Sequence, residues 1–440
     1  MTQRDDPLNR ALSRSIRRIV PFLVLMFLVS FLDRVNVGFA KTALQADTGI
    51  GDRAFAMGLG LFFIGYALFE TPSNLVMHRV GARRWMSRIM ITWGLASAAM
   101  LFVRGTYSFY VLRCVLGIAE AGFFPGVALY LTYWFPSQTR GRAMGHFYVG
   151  LCLSFIVGGP VSGALLDLDG FGGLHGWQWM FLVEGLAACL VGAVAFWYLD
   201  DRPSMADWLE PDERQALEQV IADESALIQS VGHGALQLLF DIKVLYCALI
   251  FCISQIALYG VTFYLPTQVA GMLGRKVGLE VGTISAIPWL CALLACLTIP
   301  AWSDRAGERR WTATSLAALC SVGLVLGSGA WGPLLGFGGL CVATAAIVSL
   351  QPIYFIFPTA YLKGRRAAAG LGVITSIGAM GGFLAPNVRV LGDLQAGPPA
   401  GAYFLSAIAV LNVVLIGCLP LLELAVEERT SSSSTIPICR

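Results

Sequence analysis

The chain predicts an all-α polytopic membrane protein, with twelve transmembrane helices arranged as two pseudo-symmetric six-helix bundles, and three observations predict it. The first is composition: 57% of the 440 residues are hydrophobic and 13% charged, with a mean hydropathy of +0.70, more apolar surface than a water-soluble fold can hide. The second is run length, since apolar stretches of about 18 residues or more recur, each enough to cross a hydrocarbon core of about 30 Å as a helix. The third is an internal repeat. Residues 79–85 read RVGARRW and residues 305–311 read RAGERRW, one six-helix unit apart, the mark of two similar halves in parallel.

A basic segment, 1–17, precedes the first span. Arg10, Arg14 and Arg17 of this segment, with Arg18, suggest a secretory leader, but the apolar stretch that follows is long, contains Asp33 and Arg34, and lacks a small-residue cleavage site. It is read as a permanent span. Apolar runs broken by charge, Gly and Pro place spans near 18–40, 54–77, 86–103, 107–134, 142–166 and 178–199, giving a first bundle over 18–199. A polar linker, 200–240, holds one short amphipathic helix; Pro211 suits its first position, and Glu210, Asp212 and Glu213 complement the positive end of its dipole. Spans near 242–271, 281–302, 312–330, 334–361, 367–391 and 400–423 make a second bundle over 241–424. The tail, 425–440, is serine-rich with the composition of a disordered segment.

Orientation follows from Lys and Arg in the short loops. They crowd the N-terminus and the turns after spans two (Arg79, Arg83, Arg84, Arg88), four (Arg140, Arg142), eight (Arg305, Arg309, Arg310) and ten (Lys363, Arg365, Arg366), while the opposite loops are poorer. Both termini are expected in the cytoplasm, and the chain in the cell (inner) membrane.

The informative residues are ionisable groups inside spans: Asp33, Arg34, Glu70, Arg113, Glu120 and Glu184. Facing lipid at mid-depth, each would cost about 2.5–3.5 kcal/mol, so each must meet a partner or a watery cavity. Arg113 and Glu120 are seven residues apart, which places both on one helix face about 10 Å apart and lets both point into one cavity. Asp33 and Arg34 project about 100° apart, so one turns to helix neighbours and the other to the cavity. Two cations and two protonatable carboxylates are equipment for binding an anion and coupling it to protons. Tyr66 and Tyr259 are candidates to present hydroxyls to a substrate. Glu70, before TPSN near the end of span two, suits a gate or cap, and Glu184 a brace between helices or a side chain reaching the interface.

Other chemistries lack their residues. Ten of the eleven cysteines lie in apolar runs and read as small buried hydrophobes; Cys439 alone falls in the polar tail. His78, His146, His175 and His233 are scattered, without metal or nucleophile spacing. No cofactor, metal or nucleic acid is expected; the partners are the lipid bilayer, a small organic anion and protons, with a monomer as the working unit.

These motifs resemble the major facilitator superfamily and, within it, the anion:cation symporter family. The resemblance rests on FLDRVNVGFA from Phe31, GYALFETPSNL from Gly65, VGARRW from Val80, LRCVLGIAEAGFFPG from Leu112, WLEPDER from Trp208 and SDRAGERRW from Ser303. It implies proton-linked carboxylate transport, with Arg34 on the substrate carboxylate, Asp33 and Glu120 as protonation sites, Arg113 as the partner of Glu120, and Tyr66 in the cavity. Glu70 and the loop residues Arg79, Gly81, Arg83, Arg84, Asp304, Arg305, Gly307 and Arg309 form the gating and structural motifs. Where relatives carry Tyr in span one this chain has Phe31, and where they carry two Asn in span eleven it has Thr375 and Ala379. That loss disfavours a polyhydroxylated sugar acid and favours a less hydroxylated or aromatic one. Competing readings are an efflux or exchange carrier of the same fold, a membrane-embedded enzyme, disfavoured by the missing His or Cys constellation, and a sensor, for which no signalling domain is visible.

Overall fold

The computed structural model describes residues 6–229, 241–361 and 365–419; the serine-rich tail with Cys439, His233 and Lys363 lie outside them. Helix α1 (Pro7–Thr48) starts well before the predicted span, because Asp6 accepts from the Leu8 amide at 3.3 Å and Pro7 has the fixed φ of a first turn. The first six spans continue with α2 (Asp52–Val80), α3 (Ala82–Ala98), α4 (Thr106–Glu120) and α5 (Phe123–Trp134), α6 (Ser137–Leu166) and α7 (Gly176–Tyr198). The linker helix is α8 (Pro211–Gln229). The second six are α9 (Ile242–Leu273), α10 (Leu279–Ala306), α11 (Arg309–Leu326), α12 (Pro333–Tyr354) with α13 (Ile356–Tyr361), α14 (Arg365–Ala396) and α15 (Ala400–Gly417).

Among the described residues, ten helical stretches are long and apolar enough to span a membrane. The spans outside that set, α3 and α11, have 17 and 18 residues and open on arginine pairs; a 3-10 turn, Ala99–Phe102, completes the first of them. Leu190, Leu294, Leu297 and Val414 stand exposed on the outer surface, as lipid requires, with Trp197, Trp302, Trp311 and Trp331 exposed near span ends.

Span four is one predicted element in two pieces. Gly122 takes φ +89 there, and a Cβ on it would lie 2.3 Å from the Ser73 hydroxyl, so the chain breaks immediately after Glu120 where only glycine fits.

The bundles meet through α1 with α9, α2 with α14 and α6 with α10. The α6–α10 crossing is the closest: a Cβ on Gly159 would lie 2.4 Å from the Gly282 carbonyl oxygen, and one on Gly282 2.1 Å from that of Gly159. Nearby, Phe155 stacks on Trp289 at 3.5 Å. Asp167 accepts from the Leu279 amide at 2.9 Å, and Asn387 donates to the Ala56 carbonyl at 3.5 Å. Asp167, Gly159, Ala56 and Asn387 sit toward the span ends remote from the N-terminus, so the bundles are in contact on that face.

On the N-terminal face α8 is bound to the first bundle. Arg10 pairs with Asp212 at 2.7 Å and Glu213 at 3.2 Å, and Arg14 with Glu210 and Glu213, each at 2.9 Å. Glu213 is buried between them, and Trp208 stacks on Trp134 at 5.5 Å.

Candidate functional site

A cavity of about 130 Å³ lies between the bundles. Its first-bundle wall carries Phe31 and Arg34 of α1, Tyr66 and Glu70 of α2, and Tyr148 of α6; its second-bundle wall carries Gln255 and Tyr259 of α9, Gln351 of α12, and Thr375 and Ala379 of α14. Phenylalanines fill most of the rest, so the space is an aromatic box with few polar groups.

Arg34 is the cation in this wall. It pairs with Glu120 through Nη2 and donates from Nη1 to the Tyr259 hydroxyl at 3.2 Å. Its guanidinium carbon lies 4.7 Å from the Phe31 ring centre, 5.3 Å from Phe62 and 5.4 Å from Tyr66, within cation–π range. Its Nε is buried without a hydrogen-bond partner. Glu120 is buried behind it, and its Oε1 also accepts from the Ser30 hydroxyl at 3.0 Å. Asp33 turns the other way, as its 100° offset requires, and accepts from Ser97 and from Asn36, the latter at 2.9 Å.

Two expectations are corrected. Arg113 is not the partner of Glu120: it is wholly buried, its three guanidinium nitrogens have no hydrogen-bond partner, and it stacks over Phe62 at 4.9 Å. Two helical turns, about 10 Å, separate it from Glu120, beyond ion-pair reach, and Arg34 of the neighbouring helix takes the nearer position. Nor do Arg113 and Glu120 line the cavity; both lie behind its wall. Tyr66 and Tyr259 line it as expected, and so does Glu70, which faces the same space as Arg34. Glu184 does not reach an interface: it is buried, accepting from Asn36 at 2.9 Å and Ser162 at 2.8 Å.

The loop-motif residues are not at the cavity. Gly81 takes φ +98, and Asp201 at the end of span six accepts from the Arg83 amide at 2.7 Å, which braces the turn between spans two and three. In the repeat Gly307 takes φ +70 and Arg309 pairs with Asp304 at 3.1 Å. Arg79, Arg84 and Arg305 are exposed. Of the histidines, His175 bridges Asp47, in the last turn of α1, at 3.1 Å and Asp169 at 3.4 Å on the face remote from the N-terminus.

Sequence reasoning missed the amide pair opposite Arg34, in which Gln351 donates to Gln255 at 3.2 Å. The one available signal was a polar side chain inside each of two apolar spans.

Twelve spans in two bundles around a central cavity with one guanidinium in its wall are the architecture of a polytopic membrane carrier. The chain belongs to the Major Facilitator Superfamily, whose model matches residues 23–386. It is 41% identical over 408 residues to the "Putative tartrate transporter" of Agrobacterium vitis, covering 92% of this chain and 94% of that one. It is also 41% identical over 412 residues to the inner membrane transport protein RhmT of Escherichia coli, covering 93% and 95%. A quinolone resistance transporter of Acinetobacter baumannii is 38% identical over 400 residues, covering 90% and 92%. The inward-open xylose transporter XylE of Escherichia coli shares the fold, with a TM-score of 0.74 at 13% identity over 91% of this chain and 95% of that one.

Proposed function

We propose that this protein imports a small organic anion, a carboxylate, by proton symport, with the bundles at 18–199 and 241–424 rocking about the cavity in alternating access and both termini in the cytoplasm. The observation that carries the reading is the ion pair between the cavity's guanidinium, Arg34, and the buried Glu120. Pulling that pair apart with both groups charged would cost on the order of 3–5 kcal/mol. A proton on Glu120 removes the cost and leaves Arg34 to a substrate carboxylate. Proton and anion therefore favour the same state, which is the condition for carrying them together.

The energetics need such a device. An anion entering against a potential of 100 mV, negative inside, faces about 2.3 kcal/mol per charge. One proton per negative charge cancels this, and a further proton makes the potential help. Arg113, without a hydrogen-bond partner, adds positive potential behind the wall. Tyr66 and Tyr259 supply hydroxyls beside the carboxylate, and the Phe-lined remainder suits an apolar or aromatic body.

The test is transport in proteoliposomes with a panel of carboxylates. Glu120→Gln mimics the protonated acid, so it loses accumulation driven by a pH gradient and keeps counterflow exchange; normal accumulation by this variant refutes the coupling role. Efflux is the second reading, supported by the similarity to a relative named for quinolone resistance. It requires substrate to leave vesicles against an inward proton gradient.

A further inference from the structure

Asn36 lies one turn beyond Asp33 on α1, wholly buried, and divides its amide between two acids. Its Nδ2 donates to Asp33 Oδ1 and to Glu184 Oε2, both at 2.9 Å. The rest of the cluster is neutral: Ser97 of α3 donates to Asp33, and Ser162 of α6 donates to Glu184 Oε1 at 2.8 Å. From the elements packed against α7, the titratable group facing Glu184 is Asp33 of α1, while α3 and α6 present the two serines. Cys189 lies on α7 itself. Glu120 and Arg113 of α4 act on Asp33 through space. No ion pair to Asp33 or Glu184 occurs among the described residues. Two oxygens in the cluster, Asp33 Oδ2 and Asn36 Oδ1, are buried with no hydrogen-bond partner.

Two carboxylates on one neutral amide, out of reach of water, cannot both carry charge at an acceptable cost. The pair therefore moves between a fully protonated form and a form with a single negative charge, and that charge has two places to sit. The unpartnered Asn36 oxygen lets the amide turn and accept from whichever acid holds the proton. We infer that Glu184 is a second proton-holding residue of the transport cycle, joined to Asp33 through Asn36, so that the proton arriving with substrate is shared by the pair. The inference rests on the proton-coupled reading above.

The experiment is the pH profile of gradient-driven uptake in proteoliposomes, with counterflow as the control for folding. In Glu184→Gln the negative charge has only Asp33 to occupy, so Asp33 holds its proton more tightly. Half-maximal uptake moves to higher pH, by about 0.3 unit for two acids of equal strength reduced to one. A profile identical to wild type, with counterflow intact, overturns the pairing and leaves Glu184 as a helix brace. Should Glu184→Gln not reach the membrane, Asn36→Ser decides: it stays polar but cannot donate to both acids, so the shared negative charge loses its amide donor and the profile moves to higher pH, an unchanged profile again overturning the pairing. Wild-type uptake that ignores the pH gradient instead sinks the proton-coupled reading itself, and the pairing with it.

Discussion

Arg34 is held by three kinds of partner at once: a carboxylate, a phenolic hydroxyl and a ring of aromatic faces. A lysine could keep the charge but not all three, because an ammonium lacks the planar fork that stacks and donates in two directions. Arg34→Lys should therefore lower uptake at least about tenfold, equivalent to about 1.4 kcal/mol, while the protein still folds; uptake within twofold of wild type would contradict the carboxylate role of Arg34. At this scale the sequence located charges inside the spans but not their pairing. A charge inside an apolar run announces itself through its transfer cost, whatever the fold. Whether Glu120 meets Arg113 of its own helix or Arg34 of the next depends on where α1 and α4 lie, and spacing along one helix says nothing of that. The same holds for Asn36, a neutral amide whose place between two acids exists only when α1, α3, α6 and α7 are assembled.

The elements show how small residues and loop charges are used. At the α6–α10 crossing, the two backbones touch through Gly159 and Gly282. Gly159→Leu should keep the bundles apart on the face remote from the N-terminus, since the clash is with backbone that cannot rotate away. Spin labels placed across that face would report longer distances; unchanged distances would mean that the helices slide past one another without this contact. On the opposite face the linker helix is anchored by Glu213, which receives both Arg10 and Arg14 while fully buried. Glu213→Ala removes two charge-assisted bonds, leaving Arg10 on Asp212 and Arg14 on Glu210, a loss of about 2 kcal/mol. A lower thermal unfolding midpoint in detergent is the readout, and a midpoint equal to wild type would show the clamp to be dispensable. The amphipathic helix and its start at Pro211 were legible from sequence, because capping and dipole preferences are local. The break in span four was not: Gly122 lies in a run that reads as continuous helix, and the need for glycine arises from Ser73 on the neighbouring helix.

For the whole molecule, the proposed competition between Glu120 and substrate for Arg34 would tie two equilibria together. Linkage then requires that substrate binding raise proton occupancy. Adding a bound carboxylate to weakly buffered purified protein should draw protons from solution, read with a pH indicator, and Glu120→Gln should reduce that uptake; binding with no proton change in the wild-type protein would argue against symport. The sequence by itself determined the membrane class, the span number, the doubled architecture and the charges buried in the first bundle's spans, though not the buried Glu213 of the linker or Arg389 of span eleven. Each of these follows from the cost of placing residues in hydrocarbon, which is paid locally, or from a repeat visible by eye. Only the tertiary structure decided that Arg34 faces the cavity while Asp33 turns away, that Glu120 stands behind Arg34 and not beside Arg113, and that Gln255 and Gln351 form the opposite wall. Those outcomes depend on which helices become neighbours, and contacts between spans far apart in sequence are set by packing of the entire bundle pair, not by the order of residues along any one helix.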